Sequence, residues 1–279
     1  MGSAVEYVKG HGTKNDFVII EDLEDVLEIS SDQVKAICDR NNGIGADGVL
    51  RVVKTNDQFF MDYRNADGSI AEMCGNGARV FGLYLKEKNL VTEKTFIILT
   101  RGGDVKIVVN NPDEISVTMK TATIRKNKVE VTNNSKKYLA TGVDAPNPHA
   151  VVFVDDLAEI GELKSPPTLF PKEEFQDGVN VEFVRKVSDT HVKMRVFERG
   201  SGETLSCGTG ACAVAAVLRN QLSNQKNRFQ IDVRGGTLNI EFIDDKIVMT
   251  GPAVLESSGF LKESWYSFKK WTNIKTQAI

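Results

Sequence analysis

"SCGTGACAVAAVL", Ser206–Leu218, sets a cysteine ahead of Gly-x-Gly-Ala and a run of small apolar residues. Glycines permit close backbone approach, and an apolar run without proline continues as a buried helix, so the cysteine falls at a helix N-terminus. "MCGNGARVFGLYL", Met73–Leu85, repeats the pattern. Cys74 and Cys207 are 133 positions apart, and two further landmarks keep that spacing: Gly102 and Gly235 in two "RGG" triplets, and Met61 and Met194 in "FFMDYRN" and "VKMRVFER". "DGVLRVV" at Asp47–Val53 echoes "DGVNVEFV" at Asp177–Val184, and "NDFVII" at Asn15–Ile20 echoes "NPHAVVFV" at Asn147–Val154. A repeat this long is no solenoid.

The expected fold is therefore α/β (α+β): two pseudo-symmetric, internally duplicated domains, each a strand-rich sheet or barrel around a central helix. "EYVKGHG", "FVIIED", "QFFMDYR", "VKIVVNN" and their counterparts in the second half are β-rich and bounded by Gly, Asn or Asp. The join lies near Lys120–Lys128. Residues 1–120 with 255–279 form the half carrying Cys74, and 121–254 the half carrying Cys207, with the site in the cleft between them. The tail beyond "GFLKES" receives no role.

Composition bounds the function. The chain has 279 residues, 41% hydrophobic and 26% charged, and a net charge of −3. These are globular values, and the mixed charge gives no reason to expect nucleic acid or a membrane as partner. No apolar run reaches membrane-span length and no signal-peptide core is present; Met1-Gly2-Ser3 reads as a cloning scar, and Glu6 spoils a myristoylation signal. Four cysteines without secretory features point to reduced thiols in the cytoplasm, and their spacing lacks a zinc pattern, so neither metal nor cofactor is expected.

A helix start offers free N–H groups and the positive end of the macrodipole, which stabilise a thiolate and lower its pKa. Gly75–Asn76 and Gly208–Thr209 can also hold a carboxylate. Two such thiols facing one carbon supply what stereochemical inversion needs: one removes a proton from one face and the other delivers a proton to the opposite face. Cys38 and Cys212 lack the glycine frame and read as inert; His11 and His191 read as structural or solvent-facing.

The sequence resembles the diaminopimelate epimerase family from Tyr7 to about Lys262, through "GHGTKNDF", "CDRNNGIGADG", "RNADGSIAEMCGNGAR", "NPH", "GVNVEF" and "ERGSGETLSCGTGACA". The resemblance implies a PLP-independent isomerase that interconverts LL- and meso-diaminopimelate in lysine and peptidoglycan-precursor synthesis, acting as a homodimer. It makes Cys74 and Cys207 the acid/base thiols. Gly75, Asn76, Gly208 and Thr209 would hold the reacting carboxylate, and Asn15, Asn65, Asn147, Asn180, Glu198 and Arg199 would make the other substrate contacts, with His149 assisting. Two departures bear on the pocket: Pro146 stands where Gly is common, and Gly48 where some members carry Gln. The alternative is a proline or hydroxyproline racemase on the same two-thiol scaffold, although such proteins read "CGHG" where this chain has Asn76. A hydrolase using one cysteine nucleophile would leave the second thiol unexplained, and a non-catalytic anion binder would need neither.

Overall fold

A computed structural model describes residues 4–176 and 178–269. Met1–Ser3, Asp177 of the second "DGV" echo and the tail from residue 270 lie outside the described residues. The first half runs β1 (Glu6–Gly12), β2 (Asn15–Glu21), β3 (Leu27–Glu28), α1 (Ser31–Cys38), β4 (Gly48–Thr55), β5 (Gln58–Asn65), α2 (Gly75–Glu87), β6 (Thr95–Leu99), β7 (Val105–Asn111) and β8 (Glu114–Met119). The second runs β9 (Thr123–Asn133), β10 (Lys136–Asp144), β11 (Pro148–Phe153), β12 (Thr168–Phe170), β13 (Asn180–Lys186), β14 (His191–Glu198), β15 (Gly202–Thr204), α3 (Gly208–Gln221), β16 (Arg228–Val233), β17 (Gly236–Ile243) and β18 (Lys246–Gly251). β19 (Val254–Phe260) and β20 (Ser267–Phe268) follow.

The strand order carries the duplication further than the sequence does. One sheet runs β19-β1-β2-β4-β5-β6-β7-β8, and the other β9-β10-β11-β13-β14-β16-β17-β18, in the same sense. The parallel pairs correspond as well: β2–β4 and β5–β6 in one half, β11–β13 and β14–β16 in the other. The first sheet takes its outer strand from the far end of the chain, since β19 follows β18 but pairs with β1, whereas β9 forms a hairpin with β10, its neighbour in the chain.

The sheets meet where β8 pairs with β18, antiparallel, with Val117 opposite Met249. These two residues occupy equivalent places in the repeat, so the pseudo-twofold axis passes between them. α2 and α3 are each wrapped by their own sheet and buried on nearly every face. Small Ala and Val side chains in α3 leave no polar stripe to expose, the pattern of an interior helix. One continuous apolar core joins both helices and both sheets, including Val80, Phe81, Val214 and Leu218. The fold is the α/β duplication expected. The segment given no role in the sequence places Trp265 against Leu27, Val34 and Ile37, and β20 pairs with β3.

The "RGG" triplets now have a structural reason. The Gly102 N–H donates to the Glu72 carbonyl, and the Gly235 N–H to the Leu205 carbonyl, in each case two residues ahead of the cysteine. Each triplet thereby pins the chain that enters the helix. At Gly235 the packing is tighter still: a Cβ there would lie 1.9 Å from the Thr13 carbonyl oxygen, in the β1–β2 turn of the other half. Gly235→Ala is expected to cost about 1–3 kcal/mol of overpacking strain. A urea unfolding midpoint unchanged from wild type would contradict this packing.

Candidate active site

Both cysteines sit at the N-cap of their helices in extended conformation, Cys74 at φ −135°, ψ 122° and Cys207 at φ −130°, ψ 111°. Each sulfur accepts from the backbone N–H three residues on: Gly77 to Cys74 Sγ at 3.5 Å, and Gly210 to Cys207 Sγ at 3.4 Å. The two helix starts converge on the pseudo-twofold axis. A Cβ on Gly75 would lie 2.5 Å from Met249 Cε, and one on Gly208 would lie 3.2 Å from the same atom. With glycine at both positions, the two helix starts close over one methionine.

Side chains from both halves interlock there. Asn76 Nδ2 donates to Asn15 Oδ1 and to Ser206 Oγ, each at 3.2 Å, and the Cys74 thiol approaches Asn15 Oδ1 at 3.6 Å. Asn15 Nδ2 in turn donates to Asp47 Oδ2 at 2.7 Å. On the other side Cys207 Sγ lies 3.5 Å from Thr209 Oγ1 and faces the Glu198 carboxylate, which accepts from Thr204. Asn180 Oδ1 accepts from the Arg199 N–H at 2.9 Å, so these two act as one unit. Asn65 stands apart from this cluster, its amide donating to Ser69 Oγ at 2.9 Å.

The site residues are themselves duplicated. β2 pairs Phe17 with Gly48 as β11 pairs His149 with Asn180, and Asn65 lies opposite Gly48 at the end of β5 as Glu198 ends β14. In these registers Asn15 answers to Asn147, Asn76 to Thr209 and Asn65 to Glu198. The halves differ behind the thiols. His149 Nδ1 and Glu182 Oε1 are 2.7 Å apart, and neither residue has any exposed surface. A Cβ on Gly210 would lie 2.7 Å from Glu182 Oε1. Around the equivalent Gly77 the corresponding neighbours are Leu50 and Phe17. A buried acid–base pair in one half thus takes the place of two apolar side chains in the other.

His149 has no exposed surface and lies behind Asn147. Its Nε2 lies 3.0 Å from Asn147 Oδ1, and Asn147 is half-exposed, so the order runs Glu182, His149, Asn147, site. Sequence reasoning missed Glu182, although it lies in the quoted "GVNVEF"; the available signal was a charged residue in an otherwise apolar, fully buried strand. Ser206, Thr13 and Arg79 were missed too.

One expectation is corrected. The thiols do not sit at low pKa: burial pushes Cys74 up to about 11, and raises Cys207 well above the ordinary thiol value with the Glu198 and Glu182 carboxylates adding to the effect. The helix-start N–H groups pull the expected way, but loss of water from the thiolate outweighs them. Cys38 and Cys212 are buried and pushed up to about 12, in the same direction as the two N-capping thiols. His11 is buried beside Lys14 and Glu256, and half-buried His191 pairs with Asp232 at 2.8 Å. Gly48 has no room for a side chain, since a Cβ there would lie 2.5 Å from the Arg64 carbonyl oxygen and 2.7 Å from the Tyr63 ring. Pro146 is exposed.

Among the described residues no group of three His, Cys, Asp or Glu side chains is placed to hold a metal ion, and no helix is long and apolar enough to cross a membrane. Solved structures share the fold over nearly the whole chain. A hydroxyproline epimerase from Agrobacterium vitis with bound trans-4-hydroxy-L-proline matches at TM-score 0.64 and 15% identity, covering 92% of each chain. A PhzF-family phenazine biosynthesis protein from Bacillus anthracis matches at TM-score 0.68 and 14% identity, covering 94% of this chain and 100% of that one. In sequence, the diaminopimelate epimerase of Streptomyces coelicolor is 44% identical over 283 residues, spanning 95% of this chain and 98% of that protein. The enzyme of the same name from Corynebacterium glutamicum is 39% identical, spanning 93% and 99%. The profile of the diaminopimelate epimerase family covers residues 7–125 and 141–256, one stretch in each half, and the chain belongs to that family.

Proposed function

We propose that this protein is an isomerase that interconverts LL- and meso-diaminopimelate without a cofactor, by proton transfer between two thiols at the α-carbon. The observation that carries the reading is the convergence of two N-capping cysteines on one axis, each beside unpaired helix-start N–H groups. The backbone of Gly75, Asn76, Gly208 and Thr209 would hold the reacting carboxylate and stabilise the charge that develops on it as the α-proton leaves. One thiolate takes that proton and the opposite thiol supplies another. Cys74 is half-buried and Cys207 buried; a substrate ammonium brought beside them offsets the penalty on the thiolate, and the proton that this thiol gives up leaves to solvent before the site closes.

Asymmetry between the halves suits a ligand with two unlike roles for its ends. The reacting centre lies near the axis, where the halves are alike. The distal ammonium and carboxylate meet Asn65, Asn180 and Arg199, where they are not, while Glu198, which faces both thiols, receives the ammonium of the reacting centre. Asn15 orients Cys74, and the Glu182–His149 pair orients Asn147. Residues 1–120 with 255–279, and 121–254, are the two units flanking the site. A cytoplasmic homodimer in lysine and peptidoglycan-precursor synthesis belongs to the same reading and rests on the family alone.

The test is proton NMR on LL-diaminopimelate in D2O without added PLP. Wild type is expected to form the meso isomer with deuterium at the inverted α-carbon, and Cys74→Ala and Cys207→Ala each to lose at least a thousandfold in rate. Inversion that survives either substitution would remove the two-thiol reading. Exchange on proline or hydroxyproline alone would favour the racemase alternative.

The positioning role of Glu182 has its own signature. Glu182→Ala should lower kcat tenfold or more while KM stays within about threefold, and Glu182→Gln, whose amide oxygen still accepts from His149, should retain most activity. Equal loss in both variants would show that charge, not orientation, is what Glu182 supplies.

A further inference from the structure

Arg79, one turn into α2 behind Cys74, is the largest fully buried side chain among the described residues. Its guanidinium donates from Nε to the Pro252 carbonyl at 3.3 Å and from Nη2 to Thr13 Oγ1 at 3.2 Å, while Nη1 has no partner. It is packed between Gly12 and Gly251, whose Cβ positions would lie 3.0 Å from Nη2 and 3.4 Å from Cζ. Among the described residues no carboxylate pairs with it. The charged and titratable groups facing it are the Cys74 and Cys212 thiols.

A buried, unpaired cation is costly, and apolar replacements of such groups are often more stable. The repeat does not demand one, because the equivalent position in α3 is Cys212. Burial pulls the guanidinium down to about 10, which still leaves it charged at neutral pH. Its surroundings lead to the helix starts. Thr13 Oγ1 lies 2.6 Å from Ser206 Oγ, Ser206 accepts from Asn76, and Asn76 reaches Asn15 beside the Cys74 thiol. Thr13 is held at φ 49°, a left-handed conformation unfavourable for a β-branched residue, and the Gly235 contact keeps it there. Asn76 Oδ1, also buried and unpartnered, points toward Gly208.

We propose that Arg79 is the fixed counter-charge of the site, an unpaired buried guanidinium whose positive potential stabilises anions, thiolate and substrate carboxylate alike, at the two helix starts. It acts as a positioning and electrostatic residue that does not touch substrate. The proposal deepens the epimerase reading and rests on it for the carboxylate, but its effect on the Cys74 thiolate can be read without any turnover.

The experiment follows the pH dependence of Cys74 alkylation by iodoacetamide, quantified on the Cys74 peptide by mass spectrometry, together with kcat/KM. Three variants separate charge from packing. Arg79→Lys keeps the charge, Arg79→Gln keeps a donor for Thr13 without the charge, and Cys212→Asp leaves every Arg79 hydrogen bond in place while pairing its charge. Arg79→Gln and Cys212→Asp should each raise the alkylation midpoint by one pH unit or more and lower kcat/KM at least tenfold, with Arg79→Lys within threefold of wild type. Glu198, the other charge facing Cys74, is common to all variants. If Arg79→Gln and Cys212→Asp leave the midpoint where wild type has it, Arg79 is a structural tie and the proposal is overturned. If Arg79→Gln does not fold, Arg79→Lys and Cys212→Asp decide between them, with near-ultraviolet circular dichroism matching wild type as the check that each variant is folded. A shifted midpoint in a protein that does not epimerise diaminopimelate would retain the counter-charge and remove only the substrate reading.

Discussion

Val117 opposite Met249 in the β8–β18 pair fixes everything that matters at the site. Pairing the two sheets in this register sets Met249, against which both helix starts pack, beside the repeat axis. Cys74 and Cys207 then become equivalent by geometry and not by coincidence of sequence. A slip of one residue in that pair would turn each strand's inward side chains outward and separate the helix starts. β19, which returns from the end of the second half to pair with β1, holds the same arrangement from the far edge.

The two halves agree near the axis and diverge away from it. Close in, the thiols, glycines and N–H groups are matched. Farther out, His149 and Glu182 stand where the other half has Phe17 and Leu50, and Arg79 stands where it has Cys212. Each departure places an ionisable group in an interior that would be cheaper to build from apolar side chains. The matched inner parts suit the two-thiol reaction proposed above, and the unmatched parts give the thiols different electrical surroundings: Cys207 lies against the Glu198 and Glu182 carboxylates, and Cys74 against Glu198, the Asn15 amide and the Arg79 cation.

Much of this was legible in the sequence. The 133-residue spacing of Cys74 and Cys207, of the "RGG" glycines and of Met61 and Met194 is the spacing of β5 to β14 and of α2 to α3. Glycine framing marked both helix starts correctly. What could not be read was the balance of forces on the thiols. A helix dipole is local and visible as a motif, whereas desolvation depends on how far the sheets close over the helix mouths, and here it wins. The register of β19 on β1 was hidden because pairing partners leave no mark on either strand alone. Glu182 and Arg79 looked like ordinary charges within motifs, and only their burial without full partnership singles them out.

The central claim is that two different groups serve the two faces of one carbon, and the origin of the new proton tests it most directly. Unlabelled LL-diaminopimelate would be incubated in D2O and stopped at low conversion, and the α-hydrogen content of the product measured by mass spectrometry. Two thiols predict that every newly inverted centre carries solvent deuterium, because the proton removed on one face cannot be the one delivered to the other. Product that retains hydrogen from the substrate α-carbon would mean that a single group serves both faces, and the account would fail at its centre.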